Sequence, residues 1–225
     1  MKLSLIIPVY NEVTVIDACL ENIAALKGDL EVIFSDGGST DGTLERIPPE
    51  YTLVRAPKGR SNQMNAGARA SSGDILWFSH ADSILPQNAG QAIIESIEKG
   101  TRFGCFRIGF DRSGLLMSFN KALSNRRATR AHIAFGDQGM FFTRRLFKES
   151  GGFPDLPLME DYELSLRMRR AGIPLTVLNE TIITSSRRYD DRPILFIMWQ
   201  MYYLRTLYRN GCDIEEIARR YKDIR

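Results

Sequence analysis

The residues best suited to chemistry follow a short apolar run. Ile75 to Phe78 is typical of a buried strand, and His80 and Asp82 come shortly after it. In an open α/β sheet, ligands bind in the crevice beyond the carboxyl ends of the strands. An imidazole and a carboxylate at that position are therefore placed for chemistry. An aspartate there also suits a turn or helix cap, and Asp82 taken alone fits that role equally well.

Two further carboxylates follow apolar runs. Glu12 comes after the run at residues 3–9, and Asp36 comes after the run at residues 31–35. We predict that Glu12, Asp36 and Asp82 open on one edge of a sheet and meet in one crevice. Gly37, directly after Asp36, allows the backbone to approach a ligand closely, and a plain tight turn accounts for it equally well.

Two adjacent acidic residues open a predicted helix. Glu160 and Asp161 precede an apolar stripe that includes Leu164 and Leu166. Acidic residues in a first helical turn complement the helix dipole, which accounts for one of the two carboxylates. A general base for a sugar or lipid hydroxyl also needs an ionised carboxylate near the attacking oxygen, and this helix start could supply one.

Cations stand close to the predicted crevice. Arg60 follows Lys58 at the start of a predicted helix, where the dipole favours anions, although a solvated surface charge is the alternative. Arg187 and Arg188 lie in a polar, basic loop.

These residues need elements that hold them, and the pattern is one of alternating strands and helices. Strands are predicted at residues 3–9, 31–35, 51–56, 75–78 and 102–110, in a short piece before residue 143, and as an edge strand at 174–179. Helices are predicted after residue 12 and at 61–70, 87–99, 115–127, 144–150 and 193–210, with a short amphipathic helix to the end. This alternation favours an α/β fold with βαβ units and a mostly parallel, mixed sheet.

Composition limits the function classes. The chain has 225 residues, 44% hydrophobic and 25% charged, which is typical of one globular domain with at most a small appendage. The net charge of +3 gives no support for nucleic acid binding. Three widely spaced cysteines form neither a disulfide framework nor a metal motif, and they fit a reducing cytoplasm. No Walker loop or GxGxxG follows the first strand, which argues against ATP hydrolysis and dinucleotide redox chemistry.

Membrane signals are weak along the chain. Residues 1–10 are typical of a first strand, with no signal-peptide core. The longest uncharged apolar run, 194–204, is shorter than the roughly 20 residues that span a bilayer. We therefore expect a cytoplasmic location. The aromatic helix at 193–210 is typical of a core element, and such helices also lie on the inner membrane surface or form a homodimer.

Six segments together resemble family 2 glycosyltransferases of the GT-A fold. They are Ile6-Ile-Pro-Val-Tyr-Asn-Glu12, Val32-Ile-Phe-Ser-Asp-Gly-Gly-Ser-Thr-Asp-Gly42, Gly59-Arg-Ser-Asn-Gln-Met-Asn-Ala-Gly67, Leu76-Trp-Phe-Ser-His-Ala-Asp82, Gly136-Asp-Gln-Gly139 and Met159-Glu-Asp161. The resemblance implies a GT-A domain at residues 1–190 and a C-terminal helical extension at 191–225. Within the family, the sequence is most similar to short, soluble members associated with radical-SAM and selenodomain proteins.

The resemblance also implies residue roles for an inverting transfer from a nucleotide-diphosphate sugar, UDP-linked, to a hydroxyl of a glycan or lipid. Asp161 would be the general base, with Glu160 beside it touching the acceptor. Asp82 would hold Mn²⁺ or Mg²⁺. Nucleotide-binding roles fall on Pro8, Tyr10, Glu12, Asp36, Gly37, Arg60, His80, Asp82, Arg187 and Arg188.

His80 departs from the family pattern, because the first aspartate of the family's DxD motif belongs there. Imidazole suits Mn²⁺ better than Mg²⁺, and it can also donate a hydrogen bond to ribose or phosphate. Two other functions compete with transfer. One is a non-catalytic module that binds nucleotide sugars, and the other is a nucleotidyltransferase of related fold.

Overall fold

The computed structural model describes residues 1–190 and 192–221, without the side chain of Arg188. The strands are β1 (Leu3–Val9), β2 (Leu30–Asp36), β3 (Thr52–Arg55), β4 (Ile75–Phe78), β5 (Ser83–Ile84), β6 (Phe103–Phe110), β7 (Phe141–Thr143) and β8 (Thr176–Thr184). The helices are α1 (Ile16–Ala24), α2 (Arg60–Ala70), α3 (Ala89–Glu98), α4 (Leu115–Ala131), α5 (Arg144–Glu149), α6 (Glu160–Arg170), α7 (Ile194–Arg209) and α8 (Ile214–Arg220).

All eight strands form one sheet, in the order β3-β2-β1-β4-β7-β6-β8-β5. The pairings β3–β2, β2–β1, β1–β4 and β6–β8 are parallel. The pairings β4–β7, β7–β6 and β8–β5 are antiparallel. The predicted α/β fold with a mostly parallel, mixed sheet is therefore confirmed.

The central strands are buried on both faces because their apolar runs are continuous. Alternate residues of a strand point to opposite faces. Leu5 and Ile7 of β1 accordingly pack in a cluster with α1 and α3, whereas Ile6 packs in a second cluster with α2, α5 and α6. Gly67 lets α2 come close to β1, since a Cβ there would lie 2.5 Å from Ile6 Cγ2.

A third apolar cluster joins the last helices to α6. It contains Ile133, Met159, Tyr162, Leu166, Leu204 and Ile217, so that α7 and α8 pack beside the start of α6. The division into a domain at 1–190 and an extension at 191–225 stays a prediction. Among the described helices, none is both long enough and apolar enough to span a bilayer.

One prediction about the sheet is wrong, and one strand was not predicted. Residues 174–179 are not an edge strand, because β8 runs on to Thr184 and lies between β6 and β5. The sequence analysis also missed β5, the two-residue strand that covers this edge. A run of two residues has no periodicity to detect, and only its pairing with β8 defines it as a strand.

Glu31 fastens the start of β2 to the first residues of the chain. Its carboxylate accepts hydrogen bonds from Ser4 Oγ at 2.5 Å, Ser72 N at 2.7 Å and Lys2 Nζ at 3.2 Å. Burial disfavours the ionised carboxylate, but hydrogen bonds from Ser4, Ser72 and Lys2 outweigh it and lower the pKa of Glu31 to about 2.

We predict that Glu31→Gln lowers the free energy of unfolding by about 2 kcal/mol at pH 7. The folded-state pKa of about 2 lies below the ordinary 4.5, so the unfolded state binds more protons between those values. Wild-type stability should fall as the pH drops from about 4.5 towards 2, and the variant should lose much of that dependence. Urea unfolding from pH 2.5 to 7 measures this, with exposed Glu98→Gln as the control. Equal pH dependence in wild type and Glu31→Gln would contradict the assignment.

Candidate active site

The loops after β1 and β2 hold each other through side chains. Asn11 N donates to Ser39 Oγ and Thr40 N donates to Asn11 Oδ1, both at 2.9 Å. Glu12 N donates to Thr43 Oγ1 at 2.9 Å. Asn11 adopts a positive φ of 53°, which asparagine tolerates better than most residues. This bracing sets the position of Glu12 at the crevice.

Asp41 completes the bracing and was missed by the sequence analysis. Its carboxylate accepts from Val13 N at 3.0 Å, Thr43 N at 3.0 Å and Thr43 Oγ1 at 2.5 Å. Burial disfavours the charged form, but these hydrogen bonds prevail and lower the pKa of Asp41. A short Asp-Gly-Thr segment is typical of many turns, so the sequence alone carried no signal for this role.

Asp36 is the last residue of β2, and its buried carboxylate turns back on its own loop. Oδ2 accepts from Gly38 N and Oδ1 accepts from Ser39 N, each at 3.0 Å. A carboxylate has about four lone-pair sites, so each oxygen keeps capacity for a ligand. Gly37 packs on the amide of Gln63, since a Cβ there would lie 3.0 Å from Gln63 Cδ.

Gln63 ties the ends of the two strands together. Its buried Nε2 donates to Val9 O at 2.7 Å and to Ser35 O at 2.9 Å. These carbonyl groups stand at the carboxyl ends of β1 and β2, and Val9 O also accepts from Gly37 N at 2.9 Å. Gln63 therefore holds together the two strand ends that border the crevice.

Asp82 and Glu12 meet at one guanidinium group. Arg187 Nη2 lies 3.2 Å from Asp82 Oδ2 and 3.9 Å from Glu12 Oε2. Strand β5 explains this contact, because Ser83 pairs with Thr184 and so brings Arg187 beside Asp82. Burial raises the pKa of the Cys19 thiol beneath them to about 12, and the charges of Asp82 and Glu12 add to that rise.

The remaining predicted nucleotide-binding residues occupy the β1 and α2 side. Tyr10 is 37% exposed, and Lys58 Nζ lies 4.0 Å from its ring centroid. Arg60 is the first residue of α2, after Gly59 at a φ of 135°. Pro8 is buried within β1 opposite Ser35. The side chain of Arg188 lies outside the part of the chain that the structure describes.

Asp161 and His80 flank Gly136. A Cβ on Gly136 would lie 2.9 Å from His80 Nε2 and 3.4 Å from Asp161 Oδ2. Gly136 N donates to Asp161 Oδ2 at 2.7 Å, and Tyr162 N donates to Oδ1 at 2.6 Å. Two backbone donors thus orient the carboxylate, and each of its oxygens retains a lone pair for a hydroxyl.

The start of α6 is strained. Met159, directly before Glu160, adopts a φ of 68° and provides no side-chain cap. For an unbranched residue without a local hydrogen bond, this left-handed conformation costs roughly 1–2 kcal/mol. Such outliers persist where surrounding contacts impose them, often at functional sites. Met159 and Glu160 are both buried, whereas Asp161 is half-buried at the crevice.

One arginine of α4 and one of α7 contact the same aromatic ring. The guanidinium carbon of Arg127 lies 3.6 Å from the Phe135 ring centroid, and that of Arg205 lies 5.5 Å from it. Burial lowers the pKa of Arg127 to about 10, with Asp137 and Asp161 opposing the shift, so the group is charged at neutral pH. The sequence analysis missed this stack, because Arg205 is far along the chain from Arg127 and Phe135.

The crevice suits a metal ion only in part. Within residues 1–190 and 192–221, no three His, Cys, Asp or Glu side chains are arranged to hold a metal ion. Divalent magnesium commonly binds through one or two carboxylates together with substrate phosphates. Asp82 fits that limited role. Its carboxylate and that of Glu12 already contact one cationic side chain, Arg187, so this position accommodates positive charge.

Solved structures share this fold. One is the mannosyltransferase PcManGT from Pyrobaculum calidifontis in complex with GDP-Man and Mn²⁺, with a TM-score of 0.68 and 20% identity over 92% of this chain and 61% of that one. Another is TarS 1–349 of S. aureus in complex with UDP-GlcNAc, with a TM-score of 0.64 and 20% identity over 83% of this chain and 59% of that one. The architecture is that of GT-A glycosyltransferases.

The family follows from the sequence comparison. The model of glycosyl transferase family 2 matches residues 4–150, and the chain belongs to that family. A probable glycosyltransferase of Bacillus subtilis, YdaM, is 25% identical in an alignment 201 positions long, which covers 76% of this chain and 47% of that protein. The chain thus spans about half the length of this curated relative. Membership of the radical-SAM and selenodomain subgroup stays a prediction.

We predict that Gln63→Glu lowers the free energy of unfolding by about 1–3 kcal/mol at pH 7. The substitution keeps the shape but places a carboxylate oxygen against the carbonyl groups of Val9 and Ser35. Chemical unfolding measures the change, and Gln87→Glu at an exposed position is the matched control. If both variants unfold alike, Gln63 does not hold the strand ends.

Proposed function

We propose that this chain is a metal-dependent inverting glycosyltransferase that uses a nucleotide-diphosphate sugar, UDP-linked, and a hydroxyl of a glycan or lipid. The observation that carries the proposal is the orientation of Asp161 by two backbone N–H groups, beside His80 and close to the crevice of Asp82. Family membership and the donors bound by the structural neighbours support it.

The donor would lie along the carboxyl edge of β1, β2 and β4. In the proposal, Pro8, Tyr10 and Glu12 line the nucleotide site, and Asp36 receives the uracil-type base beside Gly37. Arg60 faces the base or diphosphate, and His80 donates to ribose or phosphate. The 37% exposed ring of Tyr10 is open to a ligand. Asp36 is buried, and its role rests on the lone pairs that remain beside its two loop hydrogen bonds.

Asp82 would hold Mn²⁺ or Mg²⁺ together with the donor diphosphate. A divalent ion there supplies neutralisation of the negative charge that develops on the leaving group. Arg187 brings a permanent positive charge to the same carboxylates. If His80 instead contacted the ion, its imidazole would favour Mn²⁺ over Mg²⁺.

Asp161 would act as the general base. Its carboxylate accepts the proton of the acceptor hydroxyl while that oxygen bonds to the anomeric carbon from the face opposite the diphosphate. The bond from the anomeric carbon to the diphosphate oxygen breaks, and the nucleoside diphosphate leaves with the electron pair. Glu160, at the start of the same helix, would contact the acceptor.

We expect Asp161→Asn to lower turnover by about 10²–10⁴-fold, because an amide cannot accept the proton. Donor affinity should be unchanged. Release of UDP from UDP-sugars, with water as acceptor and Mn²⁺ present, measures turnover, and calorimetric titration measures affinity. The exposed Asp155→Asn is the matched control. Wild-type turnover in the Asp161→Asn variant would show that Asp161 is not the general base. Release of pyrophosphate in place of UDP would identify a nucleotidyltransferase.

Titration with UDP, GDP and dTDP, each with and without Mn²⁺, tests the donor site. We expect UDP to bind most tightly, and its affinity to fall at least ~10-fold without Mn²⁺ or in Asp82→Ala, since metal and carboxylate act together. Asp29→Ala, at an exposed position, is the control. Metal-independent binding would overturn the role of Asp82, and failure of all three nucleotides would overturn the donor class.

A further inference from the structure

Exposed apolar side chains are concentrated on two helices. Among the described residues, twelve large hydrophobic side chains are exposed, and eight of them lie on α4 and α7. They are Leu115, Leu116, Phe119, Leu123, Leu195, Phe196, Trp199 and Tyr202. We call this set the apolar face. Leu115 is 91% exposed and Trp199 is 58% exposed, so the face is open to solvent.

The two helices lie side by side and run in the same direction. Near the middle of α4, Asn120 Nδ2 donates to Tyr189 Oη at 2.8 Å, shortly before α7 begins. Further along both helices, Arg127 and Arg205 lie on the ring of Phe135. The apolar face occupies the first half of each helix, so its two parts lie at the same end of the pair.

The same two helices are basic, and two of their cations, Arg127 and Arg205, lie against the Phe135 ring. Neither α4 nor α7 contains an Asp or Glu, and together they hold six cations: Lys121, Arg126, Arg127, Arg130, Arg205 and Arg209. The chain has 30 Lys and Arg against 27 Asp and Glu. Without these six cations, the rest of the chain has 24 against 27, a net charge of −3. The small total of +3 therefore hides a strongly basic helix pair.

We propose that the apolar face binds the surface of an anionic lipid bilayer. Leu, Phe, Trp and Tyr side chains on helices insert at the boundary between headgroups and acyl chains, and nearby cations attract anionic lipids. Arg126, Arg130 and Arg209 are exposed on α4 and α7, towards the helix ends beyond the apolar residues. Arg192 lies 5.6 Å from the Phe196 ring, which adds a cation at the other end.

The charge argues against a second copy of the chain as the occupant. A two-fold interface places the same patch of both copies together. The interface would then contain the cations of both copies with no carboxylate on either helix, and like charges within an interface are costly. An anionic bilayer supplies the missing negative charge.

Helix α7, which carries the apolar face in its first half, contacts the segment of the candidate base through its last turn. Tyr162, adjacent to Asp161, packs on Tyr208 of α7 with ring centroids 6.0 Å apart. Tyr208 Oη donates to Glu163 Oε2 at 2.9 Å. Docking α7 on a bilayer would fix the position of Asp161 relative to its surface. The acceptor would then be an amphiphile with a hydroxyl at the headgroup level, an extension that rests on the proposed function.

Trp199 is a built-in reporter for this proposal. The other tryptophan, Trp77, is fully buried, so a change in emission on vesicle binding reports Trp199. With vesicles of phosphatidylcholine and phosphatidylglycerol, we expect flotation of the protein, a shift of emission to shorter wavelength and quenching by brominated acyl chains. Trp199→Phe should still float without that quenching.

Two variants separate apolar from charged contacts. The triple variant Arg126→Gln, Arg130→Gln, Arg209→Gln should bind about 100-fold more weakly, at about fivefold for each cation. The double variant Leu115→Ser, Phe119→Ser retains Trp199 and should lose most of the quenching. Matched controls are Lys99→Gln and Leu53→Ser, which change exposed residues outside the two helices.

Absence of flotation with anionic vesicles at low salt would overturn the proposal, as would binding that leaves Trp199 unquenched. An emission shift that grows with protein concentration without lipid would instead identify a second copy as the occupant. These measurements need neither donor nor turnover, so they fail independently of the assays on Asp161.

Discussion

Parallel pairing of β1 with β2 and β4 forces the residues after those strands to one edge of the sheet. The register sets Val9 against Asp36 and Ile6 against Phe78, so Glu12, Asp36 and Asp82 all follow strand ends on that edge. Because the strands are buried on both faces, their register cannot shift without exposing apolar side chains. The position of the crevice therefore depends on the packing of the sheet.

Gathering acidic groups at one edge creates repulsion that the structure relieves in different ways. Asp36 accepts from the amides of its own loop, and Asp161 accepts from Gly136 and Tyr162. Asp82 and Glu12 instead share Arg187, which comes from the far side of the sheet. Carboxylates held by backbone donors are fixed in orientation, whereas those of Asp82 and Glu12 contact a cationic side chain, whose place another cation could take. This difference is consistent with a base at Asp161 and a metal site at Asp82.

The basic helix pair shows how a net charge can mislead. A total of +3 gave no support for nucleic acid binding, because 27 acidic residues offset the 30 cations. Once α4 and α7 are placed together, cations separated by about eighty positions in the chain lie on one side of the molecule. Electrostatic attraction depends on this local density, and composition averages it away.

The sequence alone determined the α/β fold, the mixed sheet and the edge on which Glu12, Asp36 and Asp82 lie. These features follow from continuous apolar runs and polar residues directly after them, which are local patterns. Only the tertiary structure decided that Arg187 contacts Asp82, through the two-residue strand β5, and that Gln63 closes the ends of β1 and β2. The place of His80 and Asp161 on either side of Gly136 was likewise decided by packing. Contacts between distant segments leave no periodic trace in a sequence, because they depend on which strands pair and at which residue.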